Sequence, residues 1–114
     1  MKFAKTKTYL LSRPKAIEDY PFGPEVAVFK VNNKMFATLA KNHFADKNPD
    51  HRSCARINLK CDPDEALMLR DIFSAVTPGY HMNKKHWNTV ILDGSIPSGE
   101  IQRMIDRSYG LVVK

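Results

Sequence analysis

The sequence predicts an α+β fold in which helices pack against an antiparallel sheet carrying two hairpin wings. Three observations carry that expectation: alternating hydrophobic runs on both sides of Asn32-Asn33, a Pro-Gly-led run from Thr77 to Val90, and helix-period stripes that begin near Asp62 and Ile96. A chain of 114 residues suits one domain, here spanning 1–114, and at that length about two-thirds of the unfolded surface is buried without disulfide or metal staples.

Taken in order, Phe3, Leu10 and Leu11 with intervening basic residues predict a short amphipathic opening helix, although Thr6 and Thr8 lower its propensity. Ser12, Pro14, Pro21, Gly23 and Pro24 then force a loop. Val26 to Val31 and Lys34 to Ala40 flank Asn32-Asn33 as a hairpin, because asparagine tolerates the positive φ that a two-residue turn needs. The stretch from Lys41 to Arg52 is polar and reads as a mobile connection. In the next strand Ala55, Ile57 and Leu59 alternate inward, which places Arg56 and Asn58 on the other face.

Asp62-Pro63-Asp64-Glu65 starts a helix: an Asp cap, a Pro at the first helical position and a Glu three residues after the cap. Helix capping accounts for these acids without a catalytic carboxylate pair. Ala66, Leu69, Ile72 and Phe73 supply the expected buried stripe. After the turn at Asp93-Gly94, a last helix carries Ile101, Met104, Ile105, Ser108 and Val112 inward and Gln102, Arg103, Asp106 and Arg107 outward, with Gly110 a point of fraying.

Eighteen Lys plus Arg against twelve Asp plus Glu leave a net charge of +6 and a pI of about 9.4. That surplus favours polyanions. It is unevenly spread: residues 1 to 15 contain Lys2, Lys5, Lys7, Arg13 and Lys15 and no acid. No apolar run approaches the roughly 18 residues of a membrane span, so no membrane partner is expected. The basic N-terminus lacks an apolar signal core, which makes the expected location cytoplasmic. Cys54 and Cys61 form no C-x-x-C pair and read as free thiols of a reducing compartment.

Chemistry concentrates between Thr77 and Val90. Lys84 and Lys85 make a cationic tip that contacts phosphates or, alternatively, keeps an exposed turn soluble. Trp87 is a stacking residue or a core residue: with Val90 and Leu92 inward it points outward, and with Ile91 inward it is buried. His81 and His86 lie five apart with no acidic or thiol third ligand in the run, so no metal is expected. They also lack a neighbouring nucleophile and orienting acid. No cofactor motif appears, and the expectation is a protein that is not an enzyme.

Tyr20-Pro21-Phe22-Gly23, the Asn32-Asn33 hairpin, Asn58 to Pro63, Gly79 to Trp87, Leu92-Asp93-Gly94 and Ile105 to Tyr109 together resemble the MmcQ/YjbR family over nearly the whole chain. The resemblance implies a CyaY-like or double-wing fold and an assignment to DNA binding. The loop from Asn42 to Arg52 is longer than the family pattern. An iron site does not transfer, because the basic first helix lacks hard carboxylate ligands. The expected function is therefore binding of double-stranded DNA through Lys84, Lys85, His86, Trp87 and Asn88, with Lys34, Arg56 and the basic first helix as further phosphate contacts. The alternative is a small-molecule or protein-binding module using an aromatic sheet face at Tyr80, His81 and Trp87.

Overall fold

The structure is a computed structural model that describes residues 1–42 and 48–114. Among these residues six strands form one antiparallel sheet, in the order β1-β2-β3-β4-β6-β5. The strands are β1 (Ile17–Asp19), β2 (Val26–Val31), β3 (Lys34–Ala40), β4 (Arg56–Lys60), β5 (Val76–Pro78) and β6 (Trp87–Ile91). Helices α1 (Phe3–Leu11), α2 (Pro63–Ile72) and α3 (Ser98–Val112) pack on one face. Five positions of the expected loop from Lys41 to Arg52, 43–47, lie outside the described residues. Beyond them, Asn48 caps a single 3₁₀ turn at Pro49–His51 by accepting the Asp50 amide at 3.0 Å.

The turn between β2 and β3 follows from its two asparagines, which have φ of 51° and 62° as a tight primed turn requires. A bulge then interrupts the register between Phe29 and Lys30. Pairing resumes with Lys30 opposite Met35, so β3 carries one extra residue and both Phe36 and Ala37 are buried in the helix-side core. That core joins Phe29, Phe36, Leu39, Ile57 and Val90 of the sheet to Leu10, Leu69, Ile101 and Ile105 of the helices. Each large side chain removed from water there contributes about 1.5–3 kcal/mol.

The five inward positions expected of α3 are all buried, and the helix runs through Gly110 to Val112. Ser108 has a specific task. The β3–β4 ladder pairs Ala37 with Leu59, and at the next position the Ser108 hydroxyl sits between the strands. Its Oγ donates to the Phe36 carbonyl at 2.6 Å and accepts the Lys60 amide at 2.9 Å.

Three expectations need correction. The stretch from Ser12 to Pro24 contains a short edge strand, β1, whose three residues pair with Lys30, Phe29 and Val28; it is too short to show a period. Ile72 is 61% exposed rather than buried, because it lies about 120° round the helix from Ala66 while Leu69 and Phe73 stay on that side. Glu65 faces α3, where it pairs with Arg107 at 2.6 Å and Arg103 at 3.5 Å. Asp62 does cap α2, accepting the Asp64 amide at 3.1 Å. Cys54 and Cys61 are both free thiols.

Candidate nucleic-acid interface

The antiparallel registers place two tips at one end of the sheet. Lys34 begins β3, Lys60 ends β4 and Trp87 begins β6, with Lys60 and Trp87 directly paired. The turn at Asn32-Asn33 and the loop 79–86 therefore leave from the same end. With strands about 4.8 Å apart, the starts of β3 and β6 flank the end of β4 within about 10 Å.

The loop is held, not extended. Gly79 opens it because a Cβ there would meet Trp87 Cβ at 2.8 Å and Met82 Cβ at 2.9 Å. Arg70 of α2 anchors its return: Nε donates to Asn88 Oδ1 at 2.8 Å, and the guanidinium also donates to the carbonyls of Lys84 and Trp87. Lys84 Nζ donates to Gly79 O at 2.9 Å, drawing the two arms together. At the tip Asn83 Oδ1 accepts the amides of Lys85 and His86, which gives the bend a side-chain template.

The first half of the loop folds back over the open sheet face. The Tyr80 amide donates to Thr89 Oγ1 at 2.8 Å, Thr89 donates to Asn58 Oδ1 at 2.5 Å, and Asn58 Nδ2 donates to Tyr80 O at 3.4 Å. This closed ring of bonds explains why Asn58 and Thr89, on the face away from the helices, are nonetheless buried. The Tyr80 ring contacts the Arg56 guanidinium at 4.9 Å and the His81 ring at 4.0 Å. His81 is held at φ 56°, a left-handed conformation uncommon outside glycine. Between this arm and the sheet lies a groove of about 270 Å³, walled by Phe22, Met35, Tyr80, His81 and Met82, with Thr38 and Asn58 also lining it.

Arg56 is half-buried there, and loss of hydration lowers its pKa from the usual arginine value, an effect the nearby Tyr80 partly offsets. Charge elsewhere is arranged unequally. Strands β2, β3, β4 and β6 and the whole stretch 72–92 contain no Asp or Glu. The lysine and arginine ion pairs of the described residues lie on the helices and the β1 edge, as with Lys7–Glu18, Arg13–Asp106, Lys30–Asp19 and Arg107–Glu65. Lys34, Lys60 and Lys85 enter none of the ion pairs among the described residues.

The structure gathers the sequence-derived candidates selectively. Lys85, His86 and Trp87 lie on the wing, and Lys34 shares its end of the sheet. Lys84 is exposed, with one ammonium bond turned inward. Trp87 is half-buried on the open face, since its neighbours Asn88 and Val90 point to the helices. Tyr80 and His81 line the groove, and Trp87 does not. Arg56 sits at the far end of β4, opposite Ala40 and Ile91. Asn88 requires correction as a surface contact: it is 3% exposed, and its amide donates to the Ala66 carbonyl while its oxygen takes Arg70. The lysines of α1 lie on the closed side of the sheet, away from the groove. Sequence reasoning passed over Lys60, whose place on the face of Arg56 and Asn58 follows from strand alternation. It also passed over Arg70, Phe22, Met35 and Met82, which reach the site only through tertiary folding.

Among the described residues no three His, Cys, Asp or Glu side chains gather as a metal-ligand set. No described helix is long and apolar enough to cross a membrane.

These features define a class of α+β protein with three helices on one side of an antiparallel sheet and a wing folded across the other. The YjbR family model matches residues 11–111, and the chain belongs to that family. It is 32% identical over 109 residues to YjbR of Escherichia coli strain K12, covering 96% of this chain and 85% of that protein. With YbdF of Escherichia coli O157:H7 it shares 38% identity over 94 residues, covering 82% and 70%. A crystal structure from Pseudomonas syringae superposes with a TM-score of 0.87 at 30% identity, covering 98% of this chain and 99% of that one. The Deinococcus radiodurans protein DR2400 superposes with a TM-score of 0.82 at 33% identity, covering 99% and 79%.

Proposed function

We propose that this protein is a non-enzymatic DNA-binding module that holds phosphates along the sheet end formed by Lys34, Lys60 and Lys85. The observation that carries the reading is the charge arrangement: three lysines that enter none of the ion pairs among the described residues stand at one end of a sheet whose central strands contain no carboxylate. Unpaired ammonium groups on a rigid scaffold neutralise phosphates and release condensed counterions, with little sacrifice of internal bonds. His86 and Trp87 flank them as further contacts. Backbone binding of this kind is sequence-tolerant.

The test is a salt titration of binding to a fluorescent duplex, followed by anisotropy. Three phosphate contacts give a slope of log K against log salt of about −2.7. A flat slope, or no retention of duplex at low ionic strength, defeats the reading. A second reading is favoured by the groove: a small-molecule or protein-binding module that uses Tyr80 and His81. Binding through that groove alone would be nearly salt-independent.

A further inference from the structure

We propose that the groove on the open sheet face takes a single unstacked nucleobase, so that the protein binds unpaired strands more tightly than blunt duplex. The inference rests on the phosphate-binding reading above and specifies what the same surface selects. Room is the first argument. A groove of about 270 Å³ has room for one planar heterocycle. Its walls are the second. They are mostly apolar and combine the rings of Phe22 and His81 with the thioethers of Met35 and Met82, polarizable surfaces that favour a flat π-face. Phe22 is 72% exposed, an unusual placement for a phenylalanine, at the rim of the groove.

Continuity with the lysines is the third argument. Lys60 follows Asn58 by two residues on the same strand face, about 6.6 Å along β4. Met82 and Lys85 belong to the same loop. A nucleotide seated in the groove thus keeps its neighbouring phosphates within reach of both lysines. In the polar floor Asn58 donates one amide hydrogen to Tyr80 O and accepts Thr89 with its oxygen, and the Arg56 guanidinium lies over the Tyr80 ring. Recognition is then by stacking, tolerant of sequence. The left-handed His81 fits this picture, because that conformation sets its ring beside Tyr80 at the groove wall.

Three labelled probes with equal phosphate numbers test it: a blunt duplex, a short single strand of thymidines, and the same strand with abasic sites in place of the thymidines. The thymidine strand is expected to bind about fivefold or more tighter than its abasic counterpart, the scale of one stacked base. Phe22→Ser and His81→Asn are expected to erase that advantage while leaving duplex affinity and its salt slope unchanged. Asparagine tolerates the left-handed backbone, and Phe22 is exposed, so both variants should fold. Equal affinity for the thymidine and abasic strands, with salt-sensitive duplex binding intact, overturns the base pocket and leaves the phosphate reading standing. A base-dependent advantage that survives both substitutions also overturns it. Absence of salt-sensitive binding to all three probes defeats the underlying reading.

Discussion

Arg70 of α2 and Asn88 of β6 are joined side chain to side chain, Nε to Oδ1, at 2.8 Å. The same guanidinium reaches the carbonyls of Lys84 and Trp87. One helix residue therefore sets the position of the loop between β5 and β6.

Arg70→Lys should loosen the wing without unfolding the protein. A lysine keeps the charge but lacks the planar fork that meets three acceptors at once. Losing the equivalent of one such bond, about 1–1.5 kcal/mol, should speed amide exchange across residues 80–86 by about tenfold while the core strands stay protected. Wild-type exchange rates in that loop would show that the clamp is idle.

Neutralising the sheet end should change the salt dependence by a countable amount. Lys60→Gln with Lys85→Gln removes two phosphate contacts, so the slope for duplex DNA should become shallower by about 1.8. Lys2→Gln with Lys5→Gln, on the closed side of the sheet, serves as the comparison of equal charge. If both pairs reduce the slope equally, only net charge matters and the sheet end is not the interface.

Gly79→Ala should damage the wing by crowding. The added methyl must displace Trp87 or Met82, whose Cβ atoms stand 2.8 and 2.9 Å away, at a cost of about 1–3 kcal/mol. Trp87 is the sole tryptophan, so its fluorescence reports the disturbance directly. An emission spectrum and denaturation midpoint matching wild type would refute the packing argument.

The two thiols should differ in reactivity. Burial pushes the Cys61 pKa up, aided by the nearby carboxylates of Glu65 and Asp62, to about 11 from 9.0. Its neutral form is thereby favoured in the folded state, so the associated stability is complete below pH 9 and is lost as pH rises from there toward 11. At pH 8, alkylation should label the more exposed Cys54 first. Faster labelling of Cys61 would contradict its placement.

Local signals recovered much of this fold because several elements are specified by short stretches. Asn32-Asn33 sets its own turn, Asp62-Pro63 starts its own helix, and the five inward residues of α3 repeat at helical spacing. Ile72 failed because a ten-residue helix turns its last apolar residue past the core, and β1 failed because three residues hold no pattern. The site was legible only in part. The Thr77 to Val90 run marked the right segment, but its folding back depends on Arg70, Asn58 and Thr89, whose partners lie up to 31 residues away. A cationic, aromatic sequence does not disclose whether its tip projects or lies down.

The Ser108 hydroxyl between Phe36 and Lys60 also makes the closure of the sheet depend on a helix far away in sequence. Every strand of the sheet is translated before residue 108, yet the seam between β3 and β4 meets its last partners across separations of 72 and 48 residues. A nascent chain that has released only its strands holds two backbone groups unmatched at the centre of the sheet. Closing so distant a contact is slow compared with forming a hairpin, and the seam is matched only when α3 docks. Among the described elements α3 is thus the latch of the β3–β4 seam.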